Sequence, residues 1–259
     1  MKRVWSNFNK YRFLLIELIK KDIKLKYRRS YLGILWTLLE PIFTTIVLWF
    51  VFSKIFERGG ENFPVYILTG RLLYTFFANS TKAAMKSIRS NSAMIKKVYV
   101  PKYIYPLSSI FSNFVTFLIS MIVLALAMIV FKVNVTVYIL QAIVPLFLAL
   151  VLSTGVGMIL ATLAVFFRDL EYLWSVILMM VMYGSAIFYD VTDDKFVHVG
   201  RVLKIGNPLF DVIVNFRDAV FGRPLSMDSL LIAAIYSFGA LIVGILLFYR
   251  QQDKFILNI

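Results

Sequence analysis

Two stretches of this chain, residues 104–131 and 133–167, contain no charged side chain, and each exceeds the roughly 20 apolar residues that carry a helix across about 30 Å of hydrocarbon. Lipid offers no hydrogen bonds, so a segment of that kind has to satisfy its backbone internally, which a helix does within one segment. Further apolar runs separated by polar loops predict six spans, at about 34–53, 63–81, 104–131, 137–167, 172–189 and 230–249. The uncharged run that begins at 133 is longer than one straight crossing, so its start dips into the interface or the helix tilts. Of the 259 residues 60% are hydrophobic and 16% charged, a balance suited to bilayer as solvent.

The charges are placed as topology requires. Residues 1–33 hold ten Lys or Arg against Glu17 and Asp22, and the loop between the second and third spans carries Lys82, Lys86, Arg89, Lys96, Lys97 and Lys102 with no acid. After the first span, Lys54 and Arg58 are balanced by Glu57 and Glu61. Positive loops stay inside, so both termini are expected in the cytoplasm. Trp5, Phe8, Tyr11, Leu15, Leu18 and Leu25 recur at roughly helical spacing, predicting an amphipathic helix over 1–33 at the cytoplasmic interface. It does not read as a signal peptide, because the apolar core begins near Ile34 and is of full spanning length. The formal charge of +14 flanks apolar spans and forms no soluble basic face, so it points to anionic lipid and topology and away from nucleic acid. With no cysteine, disulfides, thiolate metal sites and thiol redox chemistry are excluded.

The segment from Asp190 to Asp228 is too long for a simple connection and should be structured. Asn207 before Pro208 predicts a helix start, and Phe210, Ile213, Val214, Val220 and Phe221 give it an apolar face before Gly222 ends it. One or two short helices re-entering the membrane from the outer side are expected here. The fold class is therefore all-α integral membrane: an interface helix over 1–33, then a transmembrane domain over 34–259 with six spans and short re-entrant helices between spans five and six.

Few residues invite chemistry. No glycine-rich phosphate loop is present, so any ATP is bound by another chain. Asp190, Asp193 and Asp194 with His198 read as a solvated outer loop, a single DxxD being a weak metal signal, and no metal ligand set is assigned. Glu40 and Arg71 fall inside spans, about 10 Å from the inner side and about 12 Å from the outer. A direct pair would need tilt or reach. Each has a structural and a functional reading: Glu40 caps a neighbouring helix or stays protonated, or else lines a pathway, and Arg71 snorkels to the outer headgroups or lines a pathway. The aromatics Trp36, Tyr74, Phe77, Tyr183, Phe188 and Tyr189 likewise serve as interfacial belt and packing, or as rings that stack on sugars.

The ordered runs Lys26–Trp36, Glu40-Pro41, Leu68–Gly70, Thr75–Phe77, Asn91–Pro101, Pro106–Ser109, Phe166–Asp169, Ile187–Tyr189, Asn207-Pro208 and Phe216–Ala219 resemble the ABC-2 type permeases that export lipid-linked polysaccharides, the O-antigen, capsule and teichoic acid exporters. The resemblance covers nearly the whole chain. Arg71, Tyr74, Ala186 and Asp190 depart from the residues usual in that family. What the resemblance implies is a homodimer in the bacterial inner membrane, with ATP and Mg on a cytoplasmic ABC ATPase subunit and none bound by this chain. It further implies an ATPase-coupling element at Asn91, Ile95, Lys96, Lys97, Val98, Tyr99 and Pro101. A polyprenyl diphosphate-linked glycan would then be captured by Arg28, Arg29, Lys96 and Lys97 and pass channel residues Trp36, Glu40, Arg71, Tyr74, Phe77, Tyr183, Phe188 and Tyr189. Export of a drug or small lipid is the alternative within the class. An ion-coupled transporter would show paired interrupted helices in two related halves, and a polyprenyl phosphate enzyme would need clustered acids on the inner face.

Overall fold

The computed structural model describes residues 2–28, 31–55, 60–98, 100–189 and 197–258, and every regular element among them is helical. Arg29, Tyr99, Asp190, Asp193 and Asp194 lie outside the described residues. The helices are α1 (Lys2–Tyr27), α2 (Trp36–Phe50), α3 (Phe63–Ser90), α4 (Ser92–Lys97), α5 (Ile104–Val130), α6 (Ile143–Phe166), α7 (Leu170–Tyr183), α8 (Val197–Gly206), α9 (Pro208–Val220), α10 (Met227–Gln251) and α11 (Phe255–Asn258). A 3-10 turn leads into α2 and a π-helical turn, Val51–Ile55, follows it.

Four helical segments are long and apolar enough to cross a membrane: Gly33–Ser53, Ile104–Val130, Val137–Phe166 and Met227–Asn258. The chain is thus a multi-pass helical membrane protein. Two other helices sit beside these. α3 has the length, 28 residues, but carries Arg71 and ends in a basic segment. It runs on to Ser90, beyond the apolar run that closes near 81, because Lys82, Ala83, Ala84, Met85 and Lys86 are strong helix formers. α7 is apolar but has only 14 residues. It stops at Tyr183, short of 189, where Gly184 follows and Ala186 takes a φ of +49°.

α3, α5, α6 and α10 form the packed centre, with α2 laid against α3 and α5, α7 against α3 and α6, and α9 against α10, α6 and α3. α6 and α10 approach backbone to backbone. A Cβ on Gly155 would stand 2.4 Å from the Ala240 carbonyl carbon, and one on Gly244 would stand 2.5 Å from the Gly155 oxygen. Small residues are what allow helices to meet this closely in lipid.

A second, smaller core closes the end of the bundle where α1, α4 and α11 gather, with Leu18, Ile95, Ile104, Tyr105, Phe248 and Phe255 buried together. Tyr11, Leu15 and Leu18 of α1 face the bundle as their spacing predicts, whereas Leu25 is exposed. At the opposite end α9 begins as the Asn-Pro pair predicts: Leu209 N donates to Asn207 Oδ1 at 3.1 Å, Pro208 takes the first helical position, and Gly222 turns out at φ +73°.

Candidate functional site

α3 buries almost all of its circumference and leaves one stripe open. Arg71, Thr75, Asn79, Lys82 and Lys86 follow one another at spacings of three or four residues, which places them on one face. On one side of the stripe lies α2, on the other α7. Between α2, α3 and α5 the stripe opens into a small cleft, open to the outside, that Lys26, Glu40, Thr44, Arg71, Asn79 and Asn113 line with others.

A single proline shapes the α2 wall. Pro41 has no N–H, so the Thr37 carbonyl loses its intrahelical partner. The Ser120 hydroxyl of α5 donates to that carbonyl at 2.9 Å and thereby docks α2 on α5. Thr44, one turn on, donates to the Glu40 carbonyl at 2.8 Å.

Glu40 and Arg71 line the same cleft without an ion pair between them. The charge that Glu40 meets is Lys26 of α1. Burial pushes the Lys26 ammonium below its ordinary range, and Glu40 works against that shift. Arg71 Nη1 instead contacts the Met182 sulfur at 3.6 Å.

The aromatic candidates divide by position. Trp36 and Tyr183 are exposed. The Tyr74 hydroxyl donates to the Leu178 carbonyl at 3.0 Å, pinning α3 to α7, and that of Tyr189 donates to the Tyr183 carbonyl at 2.8 Å. Phe77 is buried against Trp174, and Phe188 is buried in a stack on Phe52 with ring centres 5.3 Å apart.

Arg217 is a functional candidate that sequence reasoning left inside a motif. Only 7% exposed, it reaches from α9 to α3 and to the turn after α7. Its Nη2 donates to the Tyr66 carbonyl at 3.3 Å and to the Ala186 carbonyl at 3.2 Å, and its guanidinium carbon sits 3.4 Å from the centre of the Tyr66 ring. The Tyr66 hydroxyl in turn donates to the Tyr189 carbonyl at 2.8 Å. A basic residue in the last turn of a short helix with a largely apolar face was the available signal.

At the α1 end, α4 is anchored by Ile95, which is buried, while Lys96, Lys97 and Val98 are exposed beside it and Pro101 is half-buried. Asn91 joins two elements, its Nδ2 donating to the Ser87 carbonyl at 2.8 Å and its Oδ1 accepting from Lys21 Nζ of α1 at 3.4 Å. Arg28, exposed, follows the end of α1. Close by, Glu171 at the start of α7 pairs with Lys86 at 2.9 Å and Arg89 at 3.8 Å.

A multi-pass helical bundle with an open polar stripe down one central helix and a basic helical platform at one end has the form of a membrane transport subunit. Residues 14–197 match the family described as ABC-2 type transporter, and the chain belongs to that family. It is similar to the O-antigen export system permease protein RfbA of Klebsiella pneumoniae, with 28% identity over 245 residues and 93% of each chain covered. The protein of the same name from Myxococcus xanthus is 24% identical over 256 residues, 98% of each chain. The polysialic acid transport protein KpsM of Escherichia coli is 24% identical over 264 residues, again 98% of each chain.

Proposed function

We propose that this chain is the membrane permease subunit of an ATP-driven exporter that moves a lipid-linked polysaccharide from the cytoplasm across the bacterial inner membrane. The observation that carries the reading is the polar stripe of α3, open between α2 and α7, where the exposed faces of α2, α5, α7 and α10 are largely apolar. The names of relatives matched over nearly their whole length support a polysaccharide as cargo.

In this reading α3 and α7 join the four apolar segments to make six spans, with both termini and α4 in the cytoplasm. α7 is about 21 Å long at 1.5 Å per residue, and α8 and α9 fill the outer leaflet beyond its end as re-entrant helices. Two copies meet across the exposed apolar faces of α2 and α7, so that their α3 stripes line one passage.

The basic residues Arg28, Arg29, Lys96 and Lys97 attract the lipid diphosphate at the inner surface, where phosphate favours charge-assisted hydrogen bonds. Asn91, Ile95, Lys96, Lys97, Val98, Tyr99 and Pro101 receive the movement of the cytoplasmic ATPase subunits, which hold ATP and Mg. Trp36, Glu40, Arg71, Tyr74, Tyr183 and Tyr189 line the passage, and Phe77 and Phe188 back it from within each copy. Sugars pass by weak stacking on the rings, which releases each one.

The test is ATPase activity of this chain purified with its nucleotide-binding partner in nanodiscs, with and without a polyprenyl diphosphate glycan. Stimulation by the glycan over lipid alone is expected. A complex that hydrolyses ATP but ignores the glycan moves the cargo to a drug or small lipid, and failure to form any complex refutes the ABC reading. Replacing Lys97 and Tyr99 is expected to abolish export with membrane insertion intact; persistence of export removes the coupling assignment.

A further inference from the structure

Arg71 carries a charge with which no carboxylate among the described residues forms an ion pair. The guanidinium is ionised at any working pH, sits about 12 Å along α3 from its first residue and is half-buried. Among the described residues no carboxylate lies within the 4.0 Å of an ion pair, and its polar contact is the Met182 sulfur, a weak acceptor. Glu40 shares the cleft, where Lys26 lies within its electrostatic reach. Two cations and one carboxylate leave the cleft a net charge of +1 (2 − 1).

Thr75 and Asn79 follow Arg71 at i+4 and i+8 on the open stripe, and neither side chain has a polar partner among the described residues. Cations at membrane depth are costly and mark the paths of charged cargo. A guanidinium offers a planar fork of donors that fits the two oxygens of a carboxylate or phosphate, and the hydroxyl and amide below it supply neutral donors along the same line.

We propose that Arg71, with Thr75 and Asn79, forms an oxyanion subsite in the passage, so that the transported molecule brings carboxylate or phosphate groups past this point. The proposal rests on the export reading above and adds the charge class of the cargo. The oxyanion has two sources, acidic sugars of the polymer or the diphosphate of its lipid carrier. The chemistry at Arg71 is the same for both. Acidic sugars would occupy the subsite at many steps of one export cycle, whereas the carrier headgroup would occupy it once.

Binding to the full chain in phosphatidylcholine nanodiscs separates these. Oligogalacturonate, a maltooligosaccharide of the same length and farnesyl diphosphate are titrated against wild type, Arg71→Gln and Arg71→Lys by thermophoresis. At least one anion should bind about tenfold or more tightly than the neutral sugar, as one charge-assisted contact allows. Arg71→Gln should erase that preference and Arg71→Lys keep most of it. A loss confined to oligogalacturonate assigns the subsite to the polymer, and one confined to farnesyl diphosphate assigns it to the carrier.

Equal binding of anions and neutral sugar in wild type, or an anion preference untouched in Arg71→Gln, overturns the proposal. If Arg71→Gln does not fold, Asn79→Leu and Thr75→Val with Arg71 intact should each weaken anion binding several-fold, and no change there overturns it equally. Because no ATP hydrolysis is read, Arg71-dependent anion binding by a chain that fails the glycan-stimulated ATPase test removes the export reading alone. Glycan-stimulated ATPase without Arg71-dependent binding removes the subsite alone.

Discussion

Replacing Gly155 by Ala introduces one methyl group where α6 and α10 meet backbone to backbone. The new Cβ would lie 2.4 Å from both the Ala240 carbonyl carbon and the Leu241 nitrogen, against the 3.5–4.0 Å at which carbon atoms attract. No flexible side chain can yield, so the two helices have to part by about 1 Å. A radial gap of that size forfeits a quarter to a half of each pairwise attraction along the interface. Gly244, whose own Cβ position lies 2.5 Å from the Gly155 oxygen, loses its close approach at the same time. Overpacking typically costs about 1–3 kcal/mol, and the rigidity of both backbones here places Gly155→Ala at about 3 kcal/mol. The assay is denaturant or thermal unfolding of the purified chain in detergent, with Gly239→Ala as control. Gly239 is on the same helix α10 but has nothing within 4 Å of a Cβ, so Ala there should be neutral or stabilise by up to about 1 kcal/mol through helix propensity. Equal stability of Gly155→Ala and wild type, or equal loss in both variants, would refute the contact as the cause.

Arg217→Met is expected to cost about 3–5 kcal/mol, since it removes a buried cation that bridges two carbonyls and stacks on Tyr66. Faster proteolysis near the 184–189 turn would report it, and wild-type resistance would count against the clamp. Ser120→Ala should cost about 1–2 kcal/mol by stripping the Thr37 carbonyl of its donor. In a Pro41→Ala background, where an N–H is restored, the same change should cost less. Identical costs in the two backgrounds would sink the proline account. Burial pushes the Asp22 carboxyl of α1 above the usual carboxylate range, with Lys21 and Ser109 opposing. The folded chain therefore holds this proton more tightly than the unfolded one. The contribution of Asp22 to stability is most favourable below the unfolded value and is lost as pH rises through the raised folded value. Asp22→Asn should flatten the fall in thermal midpoint across that window; an unaltered slope would show that Asp22 is not its source.

Periodicity and punctuation made much of the fold legible. The Asn207-Pro208 start and the Gly222 end of α9 were readable because caps are local chemistry, and the uncharged run over 104–131 became α5 almost residue for residue. The end of α3 was not, because hydropathy reports where lipid stops and helix propensity continues past it. The site was less legible. Arg71 and Glu40 stood out as charges in apolar runs, but Thr75 and Asn79 gain meaning only from the rotation of α3 relative to α2 and α7. Glu40 meets Lys26, a residue from another helix that no spacing connects to it. Phe77 and Phe188 look no different in sequence from Tyr183, yet two are buried and one is exposed. A chain states which residues share a face of one helix; which neighbour that face meets is settled by the whole bundle.

The close approach of α6 to α10 also divides the protein mechanically. Helices whose backbones touch cannot slide or part without breaking many contacts at once, so α6 and α10, with the deeply buried sides of α3 and α5 against them, act as a stator. α2 and α7 are held from one side only, α2 by a hydroxyl on a carbonyl freed by proline and α7 by Tyr74, Trp174 and the Glu171 pairs. These two helices stand on either side of the α3 stripe. They can therefore shift against it while the framework behind keeps its packing.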